Sequence, residues 1–136
     1  MSGLNAIQGD SPIFGVEVVD NVFVLKIVSD PTLVNYVSRQ HEYNRLYKQF
    51  DDATGNHLLF DLSDCIMLDS VTIGIMVSLT RRVRENEGDA IIVAVVPNLN
   101  KMLARLMLLQ PDNKQATWQT YSTRDEGLAL LNASRN

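Results

Sequence analysis

Alternation of apolar and polar residues near the amino end of the chain predicts a β-hairpin. Three apolar residues alternate with less apolar neighbours in the period of two that is typical of a strand: Phe14, Val16 and Val18. Asp20-Asn21 suits a two-residue turn, and residues 22–28 are expected to form the returning strand. The resulting register places the three residues opposite another apolar set on one buried face: Ile27, Leu25 and Phe23.

The rest of the chain alternates between patterns typical of helices and of strands. In chain order we expect a helix from Pro31 or Thr32 to about Asp52, a strand at 57–62, a helix at about 70–86 that ends at Gly88, a strand at 90–96, a helix from Pro97, a weaker strand at 117–121 and a short helix that opens with the capping-box sequence of 123–126. The order β-β-α-β-α-β-α-β-α predicts a single α/β domain over residues 13–133, with one mixed sheet and packed helices. Residues 1–12 are small and polar, and they are expected to form a flexible tail.

Apolar residues of the third predicted helix follow the i, i+3, i+4, i+7 spacing of a core-facing stripe: Leu99, Met102, Leu103 and Leu106. We expect Leu103 and Leu106 to pack this helix onto the sheet. Leu106→Ala is then predicted to cost about 2–5 kcal/mol by opening a cavity.

Composition and charge narrow the class of protein. The chain has 136 residues, of which 46% are hydrophobic and 21% charged, so we expect a folded domain of ordinary size. Its net charge of −4 argues against a general nucleic-acid partner. A lone cysteine favours a reducing compartment, and the longest apolar run, residues 90–96, is far shorter than the ~18 residues of a membrane span. With no signal-peptide pattern at the amino end, we expect a cytoplasmic protein without a membrane segment.

Three carboxylates near the carboxyl end of a predicted buried strand raise the question of a metal site: Asp61, Asp64 and Asp69. They could hold Mg²⁺, which prefers oxygen ligands. Alternatively, Asp61 and Asp64 cap or turn the loop while Asp69 leads into the next helix. No phosphate-binding motif accompanies the carboxylates, so we expect neither a metal nor a cofactor.

Other reactive side chains do not form a recognisable catalytic pattern. Neither His41 nor His57 stands in a nucleophile motif, and Cys65 is interpreted as a small packed hydrophobic residue. Three arginines near the end of the second predicted helix complement its negative dipole end and are expected to form a solvated face: Arg81, Arg82 and Arg84. We therefore do not expect an enzyme.

Ser70 stands at the start of the second predicted helix, directly after Asp69. Its hydroxyl suits an N-cap that accepts a hydrogen bond from the first turn, and it could serve only that purpose. A hydroxyl at an exposed helix start is also open to a kinase. A phosphoryl group there would add charge beside Asp64 and Asp69, worth roughly 3 kcal/mol per unit-charge pair at about 6 Å and an effective dielectric constant near 20.

Segments distributed along the chain resemble the STAS domain of anti-sigma factor antagonists. They are Leu-Leu-Phe-Asp-Leu-Ser at 58–63, Met-Leu-Asp-Ser at 67–70, Ile73-Gly74, and Ala-Val-Val-Pro-Asn at 94–98. Residues 123–131 are similar to the closing helix of that family. The resemblance covers residues 14–131 in the right order of elements, and it implies a single STAS-like domain.

The resemblance also implies a function for Ser70. In that family the serine after the aspartate is phosphorylated by a partner serine/threonine kinase that is also an anti-sigma factor, and phosphorylation breaks the association. The family usually has Ser, Thr or Ala and then Gly after this serine, whereas Val71-Thr72 stand here, so Thr72 is the alternative acceptor. The implied partner-binding face comprises Asp30, Met67, Asp69, Ser70 and Thr72.

Two other functions remain open from the sequence. The chain could be a STAS scaffold subunit of a larger signalling assembly, or a STAS module that binds a nucleotide. A monomer or homodimer favours the regulator, and a large homo-assembly favours the scaffold.

Overall fold

A computed structural model describes residues 13–28, 36–51, 57–65, 67–106, 108–109 and 118–133. In chain order the elements are β1 (Phe14–Val19), β2 (Val22–Ile27), α1 (Tyr36–Asp51), β3 (His57–Asp61), α2 (Ser70–Glu85), β4 (Ala90–Val93), α3 (Pro97–Arg105), β5 (Thr120–Tyr121) and α4 (Arg124–Ala133). This order confirms the predicted one. The predicted tail at 1–12, helix start at Pro31 or Thr32 and strand start at Thr117 lie outside the described residues.

The five strands form one mixed sheet in the order β1-β2-β3-β4-β5. β1 pairs with β2 antiparallel, and every later pairing is parallel. The parallel strands are connected through helices, as parallel pairs require. The mixed sheet predicted from the alternation of elements is therefore confirmed.

The hairpin has the predicted register, but its predicted burial is wrong at one end. Val16 pairs with Leu25 and Val18 with Phe23, across a turn in which Asp20 has a φ of 55°. Val16 is nevertheless 37% exposed and Val18 58% exposed. β1 is the edge strand of the sheet, and this part of its face is left uncovered by the described helices.

Helices cover both faces of the sheet, so the domain has two apolar layers. Residues of α1, α2 and α3, such as Leu46, Met76 and Leu103, pack in the larger layer with Leu58 and Phe60 of β3. In the smaller layer, α4 contributes Leu131 to a cluster of strand residues from the opposite face: Val22, Val24, Leu59, Ile91 and Val93. β2, β3 and β4 are thus buried on both sides, which explains their nearly continuous apolar sequences.

A chain of hydrogen bonds connects Trp118 and Thr80 inside the larger layer. The indole of Trp118 donates a hydrogen bond to the hydroxyl of Thr80 at 2.7 Å, and that hydroxyl donates to the carbonyl of Met76 at 2.8 Å. The ring of Trp118 also meets Phe60 edge-on, with 5.8 Å between ring centroids. These contacts fix the segment before β5 against α2 and β3 without an unpaired donor.

α3 differs from its prediction at one position. Leu99 and Leu103 are buried, as the spacing predicts, but Leu106 is 52% exposed. The helix ends at Arg105 and Leu106 is its C-cap, so the Leu106 side chain lies at the exposed end of α3. The predicted 2–5 kcal/mol cavity cost therefore applies to Leu103→Ala and not to Leu106→Ala.

α2 ends in a motif in which the chain turns left-handed at Glu87, one residue before the predicted stop at Gly88. Glu87 has a φ of 70°, and the Gly88 N–H donates to the carbonyl of Val83 at 2.8 Å. The Glu87 N–H donates to the carbonyl of Arg84 at 3.2 Å, which completes the two-bond pattern of a Schellman cap.

Among the helices of the described residues, none is long and apolar enough to cross a membrane.

Candidate functional site

The start of α2 is capped by Asp69. A carboxylate oxygen of Asp69 accepts a hydrogen bond from the Thr72 N–H at 3.0 Å, and the Asp69 backbone is extended. The prediction that the Ser70 hydroxyl caps this helix is wrong, because Ser70 is the first residue of the helix itself. Aspartate and serine are about equally good N-caps, and the helix begins one residue earlier than a Ser70 cap implies, so the role falls to the aspartate.

Exposure separates the residues that sequence reasoning placed at this site. Ser70 is exposed and Met67 is 51% exposed, whereas Asp69 is half-buried. Thr72 is fully buried, and its hydroxyl has no hydrogen-bond partner among the described residues. Asp30 lies outside the described residues. Met67, Asp69 and Ser70 therefore share one accessible stretch of chain, and the side chain of Thr72 lies beneath it.

Gly74 extends the accessible surface by one helical turn. It follows Ser70 by four residues, which places both on the same side of α2. A Cβ atom added at Gly74 would meet nothing within 4 Å, so this glycine has no packing role within the described residues. Small residues at both positions leave the backbone of the first two turns open to close approach.

Ion pairs fix the charges around the loop between β3 and α2. Lys26 of β2 pairs with Asp64 at 2.9 Å. One oxygen of Asp61 accepts from the Ser63 N–H at 2.9 Å, and the other accepts from the Arg124 guanidinium at 2.9 Å. The loop is thus held by side chains from β2 and from the start of α4.

The three carboxylates considered for Mg²⁺ have separate structural partners. Asp61 pairs with Arg124, Asp64 pairs with Lys26, and Asp69 caps α2. Within the described part of the chain, no group of three or more His, Cys, Asp or Glu residues could hold a metal ion. The alternative interpretation, in which Asp61 and Asp64 order the loop and Asp69 leads into the helix, matches the geometry.

Electrostatics favour the charged forms of these groups. Burial raises the pKa of Asp61, but the hydrogen bonds from Ser63 and Arg124 outweigh it, so the pKa lies below its ordinary value. A hydrogen bond to Asp64 and the charge of that carboxylate raise the pKa of Lys26. The ion pairs on both sides of the loop are therefore intact at neutral pH.

A cleft at the carboxyl ends of β4 and β5 is a feature that sequence reasoning missed. Its volume is about 750 Å³, and Ala94, which follows β4, has a left-handed φ of 60°. The lining mixes apolar and polar residues: Ser63, Ala94, Val95, Val96, Pro97, Asn100, Thr120, Tyr121, Ser122 and Glu126. α/β sheets commonly bind ligands at the carboxyl ends of their strands. The signal in the sequence that could have predicted this cleft is the presence of polar residues after β4 and β5, such as Asn100 and Ser122.

The remaining candidates take part in structural contacts. Cys65 is buried, and its thiol donates to the carbonyl of Met67 at 3.3 Å. His57 is buried and accepts a hydrogen bond from the Asp89 N–H at Nδ1. Of the three arginines expected on a solvated face, Arg82 lies over the Tyr47 ring, with 4.6 Å between the guanidinium carbon and the ring centroid.

A comparison of the sequence with models of protein families identifies the family of the chain. The profile of the family described as the STAS domain matches residues 14–126. The chain belongs to the STAS domain family. The resemblance found in the sequence is thereby confirmed over nearly its whole length. A search of curated proteins gave no match.

Solved STAS structures share the fold at low sequence identity. The unphosphorylated anti-sigma factor antagonist SpoIIAA is 13% identical, with a TM-score of 0.71 over 88% of this chain and 96% of that one. The phosphorylated Bacillus cell fate determinant SpoIIAA is 14% identical, with a TM-score of 0.65 over 86% and 97%. A chain of the stressosome, a signal integration and transduction hub, is 18% identical, with a TM-score of 0.69 over 90% and 99%.

Proposed function

We propose that this STAS domain is a protein-binding regulator of the anti-sigma factor antagonist type, gated by phosphorylation of Ser70. The observation that carries the proposal is the exposed Ser70 hydroxyl at the first position of α2, directly after the capping Asp69. Because Asp69 holds the helix end, modification of Ser70 need not remove the cap. The proposed output is binding rather than catalysis.

Burial favours Ser70 over Thr72 as the acceptor. A kinase must bring the acceptor hydroxyl into its own active site, and Ser70 can be reached without a change in the helix. Thr72 is fully buried, and its backbone N–H is bonded to Asp69. Phosphorylation of Thr72 would require the first turn of α2 to open.

A phosphoryl group on Ser70 would alter the surface while leaving the fold in place. It would lie at the positive end of the α2 dipole, near the N–H groups of the first turn, which favours a negative charge. It would also add up to two negative charges next to the carboxylate of Asp69. A partner surface that fits the unmodified hydroxyl would then meet both added bulk and added repulsion.

The surface around Ser70 suits close contact with another protein. Met67 is an exposed, flexible apolar side chain, a type that is common at protein interfaces. Gly74 lowers helix propensity by about 1 kcal/mol relative to alanine and meets no neighbour within this chain. We infer that Met67, Asp69, Ser70 and Gly74 form the partner-binding face.

The expected partner is a serine/threonine kinase that also acts as an anti-sigma factor. SpoIIAA, which is similar in fold, is known in both phosphorylated and unphosphorylated forms, and this supports the proposal.

A phosphorylation assay tests the acceptor. Wild type, Ser70→Ala and Thr72→Ala are incubated with ATP and an extract of the cells that produce the protein, and phosphate is located by mass spectrometry. We expect phosphate on wild type and Thr72→Ala and none on Ser70→Ala. Phosphate on Ser70→Ala but not on Thr72→Ala would assign the acceptor to Thr72. Absence of phosphate from all three proteins would overturn the gating.

A binding assay tests the switch. Ser70→Asp is expected to weaken binding of the kinase at least about tenfold, which corresponds to about 1.4 kcal/mol. The effect should diminish with added salt, because an exposed site is screened over about 8–10 Å. Asn44→Asp is the matched control, since Asn44 is exposed in the middle of α1 and the change adds one negative charge outside the proposed partner-binding face. Equal binding by the two variants would contradict the proposal.

A scaffold function is the second candidate, and the fold shared with a stressosome chain favours it. Native mass distinguishes the two functions. A monomer or dimer supports the regulator, whereas a homo-assembly of many copies supports the scaffold.

A further inference from the structure

The outer side of β1 carries backbone groups that no strand among the described residues pairs with. The Val28 N–H donates to the carbonyl of Ile13 at 2.8 Å, and these two residues extend the hairpin register by one position beyond Phe14 and Ile27. Hydrogen-bonded pairs alternate along an antiparallel ladder, so Gly15, Glu17 and Val19 also bond to β2. The N–H and C=O groups of the three residues between them point away from β2: Phe14, Val16 and Val18.

This edge lacks the features that usually keep sheet edges apart. β1 contains neither lysine nor proline, and its register with β2 is continuous, without a bulge. Its two exposed valines, Val16 at 37% and Val18 at 58%, lie on one face beside the half-buried Phe23. Its single charge, Glu17, lies on the other face and pairs with Arg124 at 2.8 Å.

We propose that β1 pairs antiparallel with β1 of a second copy of this chain, around a two-fold axis at Val16. In that register Val16 lies opposite Val16 of the second copy, and Phe14 lies opposite Val18. Every outward-pointing N–H and C=O group of the three residues then has a partner. The two five-stranded sheets become one continuous sheet.

Charge and strand length favour this register over the two registers in which the axis is shifted by one residue. With the axis at Val16, Glu17 lies opposite Gly15 of the second copy, so the two carboxylates do not face each other. An axis at Glu17 would place like charges directly opposite, which is destabilising, and would leave Phe14 unpaired. An axis at Gly15 would place Val18 beyond Phe14, the first residue of β1 in the second copy, and would leave it without a strand partner.

The expected association is weak and reversible. A contact through one six-residue strand is smaller than a standard interface of about 1,600 Å², so we expect a dissociation constant in the micromolar range. The pairing lies on the opposite edge of the sheet from β5 and does not use Ser70. It can therefore hold or fail independently of the proposed phosphorylation.

Analytical ultracentrifugation of the full chain over a range of concentrations tests the pairing. We expect the mass to rise from 15.2 kDa to twice that value with concentration. Val16→Lys places two ammonium groups opposite each other at the axis and should weaken association at least about tenfold. Val37→Lys is the matched control, because Val37 is 64% exposed on α1, and it should leave association unchanged. Val18→Lys repeats the test if Val16→Lys does not fold by circular dichroism.

A charge swap tests the two-fold register itself. Val16→Lys and Val16→Glu should each associate weakly alone, but an equal mixture should associate at least as tightly as wild type. Only a pairing that places residue 16 opposite itself predicts this recovery. A mixture without recovery, equal effects of Val16→Lys and Val37→Lys, or a full chain that stays at 15.2 kDa would each overturn the proposal. Dimerisation that begins only after removal of residues 1–12 would also overturn it, because those residues would then be the occupant of the edge.

Discussion

Two adjacent residues have different roles at the start of α2. Asp69 supplies the acceptor that the first turn of a helix needs, and Ser70 contributes an exposed hydroxyl at the same helix end. If Ser70 were the cap, phosphorylation would remove a stabilising hydrogen bond and would couple modification to local unfolding. With Asp69 as the cap, the same modification changes mainly the charge and shape of the surface.

The first prediction separates these two roles by their effects on stability. Asp69→Ala removes the hydrogen bond to the Thr72 N–H and should lower the free energy of unfolding by about 1 kcal/mol. Ser70→Ala removes an exposed hydroxyl and should change it by less than about 0.5 kcal/mol. Urea denaturation of the two variants measures both values. A larger loss for Ser70→Ala than for Asp69→Ala would show that serine is the cap in solution.

Sequence reasoning is weakest at the scale of single residues. It found the Asp69-Ser70 pair but assigned the cap to the wrong member, because the two residue types have similar N-cap preferences and the loop path decides between them. It also placed Leu106 in the core from its spacing, although Leu106 is the C-cap at the exposed end of α3. Both errors arise where an element ends by one residue more or less.

At the scale of elements, α4 approaches the sheet through a glycine. A Cβ atom at Gly127 would lie 2.7 Å from Cγ1 of Val93 and 2.9 Å from Cδ1 of Ile91. These distances are too short for a real contact, so the helix can lie this close to β4 only without a side chain at residue 127. Gly74 on α2 is also helical, but the space around it is open.

The second prediction uses these two helical glycines as a matched pair. Alanine improves helix propensity by about 1 kcal/mol at either position, so a difference between the variants reports packing. Gly74→Ala should raise the free energy of unfolding by about 0.5–1 kcal/mol. Gly127→Ala should lower it by about 1–3 kcal/mol, because α4 must move away from the sheet or the strand side chains must repack. Thermal denaturation followed by circular dichroism measures both, and shifts of the same sign would contradict the packing of α4.

The order and type of the elements could be predicted because each has a local periodicity. β4 is apolar throughout and β3 is apolar between His57 and Asp61, and the hairpin register follows from one two-residue turn. The burial of Val16 and Val18 could not be predicted in the same way, since it depends on where the helices lie over the edge strand. That information is distributed over the fold and does not appear in the pattern of β1.

At the scale of the whole molecule, one arginine connects three distant parts of the chain. Arg124, at the start of α4, bonds to Asp61 at the end of β3 and to Glu17 in β1. The sequence separations are 63 and 107 residues, so no local pattern could reveal this connection. It fixes α4 to the sheet and orders the loop that leads to Ser70. The sequence predicted that Asp61 caps or turns the loop, but it did not predict the ion pair between Asp61 and Arg124.

The last prediction concerns the pH dependence of this connection. The pKa of Asp61 is lowered in the folded protein, below its ordinary value of 3.8. The unfolded chain therefore takes up the proton first as the pH falls. The stabilisation from the Asp61 carboxylate is complete well above pH 3.8, and it is lost as the pH falls through the folded pKa.

Arg124→Met isolates that contribution. The variant leaves a buried carboxylate without its cation, and the free energy of unfolding at pH 7 should fall by about 2–3 kcal/mol, less than for a fully buried pair because Arg124 is 32% exposed. Removal of the two Arg124 contributions raises the pKa of Asp61 relative to wild type, so the variant loses less stability than wild type as the pH decreases. The difference in stability between wild type and variant should shrink from pH 7 to about pH 3 in urea denaturation. Lys26→Met, which removes the exposed partner of Asp64, is the control and should show little change at either pH. A difference for Arg124→Met that stays constant over this range would mean that Arg124 stabilises α4 by packing and not through the charge of Asp61.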